Sequence, residues 1–217
     1  MCKETGNPRS ASLVRIDTVA SYVTILSVIY YVSVIALLHI LRTDYDPGYR
    51  YLSEYVVGPY GALMTSTFFD LSVGSLALSL GLWRTVSSKL RFLPGLLLWL
   101  TWACAVFLAG IYPGDLQGSP QTRIGQIHNQ MGMVAFSSAS LALPLLTLPL
   151  WWEYKWRPVW RVAVVLSFVA VASFFAMDWL AEMRLAGLAQ RMFLAMTLAW
   201  MFILGRKLPT AELPRKG

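Results

Sequence analysis

The sequence predicts an all-α protein: one six-transmembrane-helix bundle with two longer extracytoplasmic loops and both termini in the cytoplasm. Three observations carry this. First, of 217 residues 57% are hydrophobic and only 13% charged, where a soluble domain carries about 25% charged residues. Mean hydropathy is +0.56. Second, six apolar runs, near 18–41, 60–83, 93–112, 130–152, 159–180 and 187–205, each approach the roughly 20 residues that cross a bilayer as a helix. Third, the basic residues are unevenly placed. With a cytoplasmic N-terminus, 13 of the 18 Lys and Arg residues fall on the cytoplasmic side. Only Arg42, Arg50, Arg123, Arg184 and Arg191 fall outside. Short loops rich in Lys and Arg stay inside.

Taken in order, residues 1–17 read as a polar cytoplasmic tail carrying Lys3, Arg9 and Arg15. The run that follows is longer than the roughly 7–15 apolar residues of a signal peptide, and no small-residue cleavage site follows it. It reads as a retained first span. The membrane domain covers 18–205, and 206–217 reads as a basic cytoplasmic tail. The two long connections, 42–59 and 113–129, carry turn chemistry in Asp46-Pro47-Gly48, Gly58-Pro59, Pro113-Gly114-Asp115 and Gly118-Ser119-Pro120. Such loops could fold back over the helix ends as a lid. The other connections are short and basic. Trp99, Trp102, Trp151, Trp152, Trp156, Trp160, Trp179 and Trp200 read mostly as an interfacial aromatic belt. A net charge of +7 follows from the positive-inside loops and argues for no nucleic-acid partner. Cys2 and Cys104 stand at different expected depths and in no metal-ligand spacing, so no disulfide is expected to join them and neither is expected to hold a metal.

The extracytoplasmic end collects Glu54, Asp115, His128, Asp178, Gln190 and Arg191 from three distant segments. Polar groups at the mouth of a membrane bundle are costly unless they pair or function. His128 heads a stripe of small residues, Gly132, Ala135, Ala139 and Ala142, which points it into the bundle because such stripes pack against other helices. It could hold a loop carbonyl, act on a ligand, or bind a metal or haem with His39 as the second histidine. Glu54, Asp115 and His128 could together supply an acid and a base, or oxygen and nitrogen ligands to a metal. Arg191 shares a face with Gly187, Ala195 and Ala199, and is expected to pair with Glu54, Asp115 or Asp178, or to clamp an anion. Asp70 lies near the midplane of the second span on a stripe with Ser66, Thr67, Gly74 and Gly81. It could serve a proton-linked carrier or be a carboxyl bonded to neighbouring hydroxyls. Gln190, Asp178, Asp70, Arg191 and Asn129 are the ligand-binding candidates.

The segments Arg42-Thr43-Asp44-Tyr45-Asp46-Pro47, Leu52-Ser53-Glu54 and Gly58-Pro59-Tyr60-Gly61 resemble the first outer loop of the prokaryotic membrane family catalogued as domain of unknown function 998. Gly110-Ile111-Tyr112-Pro113-Gly114-Asp115 with Ile127-His128-Asn129 resembles its second outer loop, and Gly187-Leu188-Ala189-Gln190-Arg191 its last-helix motif. The resemblance implies a six-helix bundle distantly like the DRAM and Sfk-like membrane proteins, in a prokaryotic plasma membrane. By analogy it implies a role with membrane lipid. Three functions are therefore weighed. One is a polar-mouthed pocket that binds a lipid or other amphiphile, or an accessory subunit with a membrane-protein partner. The second is a hydrolase or transferase on a lipid or isoprenoid using Glu54, Asp115 and His128. The third is a transporter using Asp70. The sequence names no cofactor.

Overall fold

Backbone amides buried in hydrocarbon must bond within their own segment, so each apolar run becomes a helix. The computed structural model describes residues 8–210. The helices are α1 (Pro8–Leu41), α2 (Gly61–Thr85), α3 (Lys89–Ile111), α4 (Arg123–Thr147), α5 (Arg157–Phe175), α6 (Met177–Glu182) and α7 (Ala186–Lys207). Short 3₁₀ turns interrupt the connections at Leu52–Val56, Leu148–Trp152 and Tyr154–Trp156. All but α6 belong to six segments long and apolar enough to cross a membrane. The expected tails fall partly outside the described residues, at 1–7 and 211–217, and α1 is already helical from Pro8.

Neighbouring helices pack in chain order, α1 on α2, α2 on α3, α3 on α4, α4 on α5 and α5 on α7, and α7 returns to α1 to close a ring. Glycines set the closest approaches. A Cβ at Gly74 would strike Ser27 of α1, and one at Gly95 would meet Leu146 of α4 at 2.8 Å. The centre is aromatic. Trp99 stacks on Trp102 at 5.8 Å, Trp99 meets Trp200 at 5.1 Å, and Phe136 meets Phe193 at 4.7 Å. Buried indoles usually find a partner for their N–H, although those of Trp99 and Trp156 have none among the described residues. Trp102 donates to Ser75 Oγ at 3.1 Å and Trp200 to Thr147 Oγ1 at 2.8 Å. This corrects the expected aromatic belt: Trp99, Trp102, Trp156 and Trp200 are core residues, while Trp151, Trp152 and Trp179 are exposed.

Two boundaries also differ. The fourth span starts at Arg123, not near residue 130. Its first two turns are polar, so hydropathy hides them. They are helical because Thr122 caps the end, its hydroxyl accepting from Gly125 N at 3.0 Å. The fifth run does not continue to 180. It stops at Phe175, and α6 follows as a separate short helix. The chain then turns back through Arg184, which has a left-handed φ of 62°.

Opposite the long loops, Glu153 performs a clasping task that the sequence did not suggest. Its buried carboxylate accepts from Ser87 N at 3.0 Å and Ser87 Oγ at 2.7 Å. It thereby ties the α4–α5 connection to the α2–α3 connection.

Candidate ligand-binding site at the loop end of the bundle

The α1–α2 loop is held down at both of its ends. Arg42 is buried beneath it, donates to Val57 O at 2.8 Å and Pro59 O at 3.1 Å, and pairs with Asp44 at 2.9 Å. That guanidinium holds the Asp44 carboxyl below the usual carboxylate range. The same hydrogen bond raises the Arg42 pKa. Gly58, at φ 85°, turns over the guanidinium where a side chain would be strained. At the other contact, Leu188 N donates to Gly48 O at 3.0 Å and Leu52 N to Gln190 Oε1 at 2.6 Å. The loop is therefore fastened to the start of α7.

Glu54 joins this loop to the α3–α4 loop. It is only 3% exposed. Its Oε1 accepts from Tyr51 N at 2.9 Å, and its Oε2 accepts from Arg50 Nη1 at 2.8 Å and Gln117 N at 3.0 Å. Arg50 Nη1 also reaches Gln117 O at 2.9 Å. The sequence reading overlooked Arg50. Its spacing of four from Glu54 was the available signal. Asp115 accepts from Thr122 N at 2.7 Å and from Thr122 Oγ1 at 3.0 Å, so it sits on the N-terminus of α4.

His128 is 5% exposed. Its Nδ1 lies 3.0 Å from Ala109 O and 2.8 Å from Tyr112 O. Both partners only accept, so Nδ1 carries a proton, and Nε2 is the ring nitrogen left without a partner, an acceptor in the neutral form of the ring. Edge-on contact with Phe68 at 5.8 Å fixes the ring further.

These residues border two adjoining cavities. A vestibule of about 220 Å³ is lined by Glu54, Asp115, His128, Asn129, Tyr51 and Ser53, with the Gly114–Ser119 backbone on one side. Beneath it lies a chamber of about 360 Å³, whose walls include Met64, Phe68, Leu71, Trp102, Phe136 and Leu194. Tyr51, Ser53, His128 and Asn129 line both. Gln190 lines the chamber with its amide nitrogen uncommitted, since its oxygen holds Leu52 N. Gly132, Met133, Phe174 and Met177 border the chamber's side between α4 and the α5–α6 junction. Gly132 was expected to pack against a helix. A Cβ there would meet nothing within 4 Å, so this glycine opens space. The close packing falls to Ala139 and Ala142, which are fully buried.

Other candidates stand elsewhere. Asp178 is exposed on α6 and lines neither cavity. It acts at a distance: burial raises the Tyr51 hydroxyl pKa first, and the charges of Asp178 and Glu54 add to the rise. Asp70 is half-buried at the α1–α2 seam, where Ser27 Oγ lies 2.8 Å from its Oδ2 and 2.9 Å from its carbonyl. It also lines neither cavity.

Arg191 corrects an expectation. It pairs with none of Glu54, Asp115 or Asp178. Its Nε donates to His39 Nε2 at 3.1 Å, and its Nη1 donates to Arg50 O at 2.7 Å and Gly187 O at 3.0 Å. The acids are elsewhere for stated reasons: Glu54 is held by Arg50, Asp115 by Thr122, and Asp178 by its place on the exposed α6. Its stripe is not wholly interior either, because Ala195 is exposed. His39 donates from Nδ1 to Ile35 O at 2.7 Å, so it accepts from Arg191 as a neutral ring. The two histidines consequently do not share a space that a haem could occupy: His128 lines the cavities and His39 does not. Among the described residues no three His, Cys, Asp or Glu side chains converge on a point.

A family model described as "Protein of unknown function (DUF998)" matches residues 25–207. The chain belongs to this family. The DUF998 match spans all six membrane-length helices in whole or in part, both long loops and every residue lining the two cavities. No curated protein and no solved structure matches the chain. What is established is a helical, multi-pass membrane protein of a family without an assigned activity.

Proposed function

We propose that this protein binds a membrane amphiphile, with the apolar chain in the chamber and the polar head in the vestibule. One observation carries the reading: an apolar cavity of about 360 Å³ runs beneath a polar one of about 220 Å³, and His128 and Asn129 stand at their junction. Small-molecule sites are mostly apolar concavities of about 300–1,000 Å³ with a few convergent polar groups. The side bordered by Met133 and Phe174 faces the position of lipid around the bundle, which suits a ligand arriving from the bilayer.

The hydrolase or transferase reading is weaker. Both carboxylates it would use are engaged in holding backbone, Glu54 through Tyr51 and Gln117 and Asp115 through Thr122. Of the three side chains, His128 is the one that keeps an uncommitted polar atom. The carrier reading is weaker still, because Asp70 stands away from both cavities.

Gly132→Phe tests the proposal. The new ring enters open space, and replacing a helical glycine does not weaken the helix. A photoactivatable long-chain alcohol should label α4 and α5 around the chamber in the unaltered protein, and labelling should fall about tenfold or more in Gly132→Phe with unfolding temperature maintained. Equal labelling of both would refute the chamber as the site.

We further place the vestibule on the extracytoplasmic face, on the strength of the basic asymmetry. A cysteine at Ser119, exposed in the α3–α4 loop, should react with a membrane-impermeant maleimide on intact cells. One at Tyr154, exposed at the opposite end, should not. The reverse pattern would turn the protein over.

A further inference from the structure

The polar groups around the vestibule decide more than the presence of a head group. His128 has its Nδ1 proton committed to two carbonyls behind it, so in its neutral form the ring offers the cavity an acceptor, Nε2. Glu54 and Asp115 add negative charge to the same wall. Among the described residues, neither cavity is lined by Lys or Arg. Arg50, the cation beside Glu54, turns its Nη1 to that carboxylate and to Gln117 O. The remaining feature that attracts anions, the N-terminus of α4, is already covered. Asp115 bonds Thr122 N there, and its carboxylate lies where a Cβ on Gly125 would stand. Helix N-termini bind phosphate through free N–H groups and the positive end of the dipole, and here a carboxylate of the chain itself takes that place.

We propose that the vestibule accepts a hydrogen-bond-donating, non-anionic head, a hydroxyl or an amine, whose donor meets His128 Nε2, and that it rejects phosphate and carboxylate heads. This rests on the amphiphile reading above and narrows it. A hydroxyl or ammonium donates a hydrogen bond to Nε2 and lies beside carboxylates that favour it. A phosphate would set its oxygens against the Nε2 lone pair, against Asp115 and against Glu54, whose one cation Arg50 is already spent on it, with no Lys or Arg among the described residues of the cavity wall to receive the phosphate. Tyr51, whose hydroxyl keeps its proton beside Glu54, and the free amide nitrogen of Gln190 can receive the lone pairs of an alcohol oxygen.

The test compares dodecanol, dodecylamine and dodecyl phosphate, which share one chain. Each is titrated into the protein in nanodiscs of an uncharged lipid, and binding is read by native mass spectrometry, with Gly132→Phe as the blocked control. Dodecanol and dodecylamine should bind about tenfold or more tightly than dodecyl phosphate, the factor expected when a buried polar contact is left unmade. The two favoured arms tell a neutral donor from a cationic one. Phosphate binding as tight as alcohol, and sensitive to Gly132→Phe, would overturn this inference and leave the amphiphile reading standing. No binding sensitive to Gly132→Phe in any arm would overturn both. His128→Phe adds a second readout: alcohol binding should drop about tenfold while phosphate binding stays unchanged. An unchanged alcohol affinity in folded His128→Phe would remove His128 from the site. If that variant does not fold, the three-ligand comparison on the unaltered protein still decides.

Discussion

Glu54→Ala should destabilise the purified protein by about 3–5 kcal/mol, the range for breaking a buried ion pair from one side. Glu54 is 3% exposed, and one carboxylate answers three donors: Arg50 Nη1, Tyr51 N and Gln117 N. Alanine leaves two amides without their acceptor and a partly buried guanidinium without its carboxylate. It also frees the α1–α2 loop from the α3–α4 loop, so the roof of the vestibule loosens together with the fold. Arg50→Ala should cost less, because the carboxylate keeps both backbone N–H donors. The double variant should lose less than the sum, with a coupling of about 0.5–3 kcal/mol between contacting residues. Thermal or denaturant unfolding in a fixed detergent measures all three. A loss below about 1 kcal/mol for Glu54→Ala would mean that the carboxylate does not clasp the loops. It would reopen Glu54 as a free acid or base.

Gly187→Ala should destabilise by about 1–3 kcal/mol, the usual cost of overpacking, although alanine is the better helix former. The added Cβ would stand 2.8 Å from Pro47 O and 2.9 Å from Arg50 C, and it would press hardest on Arg50 O. These are backbone atoms of the α1–α2 loop, and they cannot swing aside as a side chain can. The loop must lift. Lifting it strains Leu188 N to Gly48 O, Leu52 N to Gln190 Oε1 and Arg191 Nη1 to Arg50 O together. Gly132→Ala supplies the contrast. Nothing stands within 4 Å of its Cβ, so that change should stabilise by about 0.5–1 kcal/mol, the helix propensity difference alone. Parallel unfolding curves for the two alanine variants check the opposite signs. Equal shifts would mean that the loop is not seated on α7.

Depth was legible in the sequence; rotation was not. Hydropathy gives each residue its level, because the helix rises 1.5 Å per residue and the bilayer is a fixed thickness. That was enough to bring Glu54, Asp115 and His128 to one end, and the structure puts all three on one cavity wall. Their rotation about the helix axes was not given, and one residue turns a helix by about 100°. Gly132 and Arg191 show the consequence. Both lie on stripes of small residues. The stripe carrying Gly132 is buried only farther along, at Ala139 and Ala142, and opens a chamber at its head. Arg191 points to His39 and a loop carbonyl instead of an acid.

By itself, then, the sequence determined six membrane-length helices and the end of the bundle at which the polar groups of the two long loops collect. These depend on one quantity, the cost of taking peptide and side chain out of water, which is local and additive along the chain. Only the tertiary structure decided which polar groups are occupied and which remain free. Glu54 and Asp115 became fasteners of loops, Asp178 stayed exposed, and His128 and Gln190 kept an unpaired nitrogen on a cavity wall. Such partnerships join residues as far apart as Leu52 and Gln190. They depend on where the loops run and how neighbouring helices are turned, and no stretch of one segment encodes that.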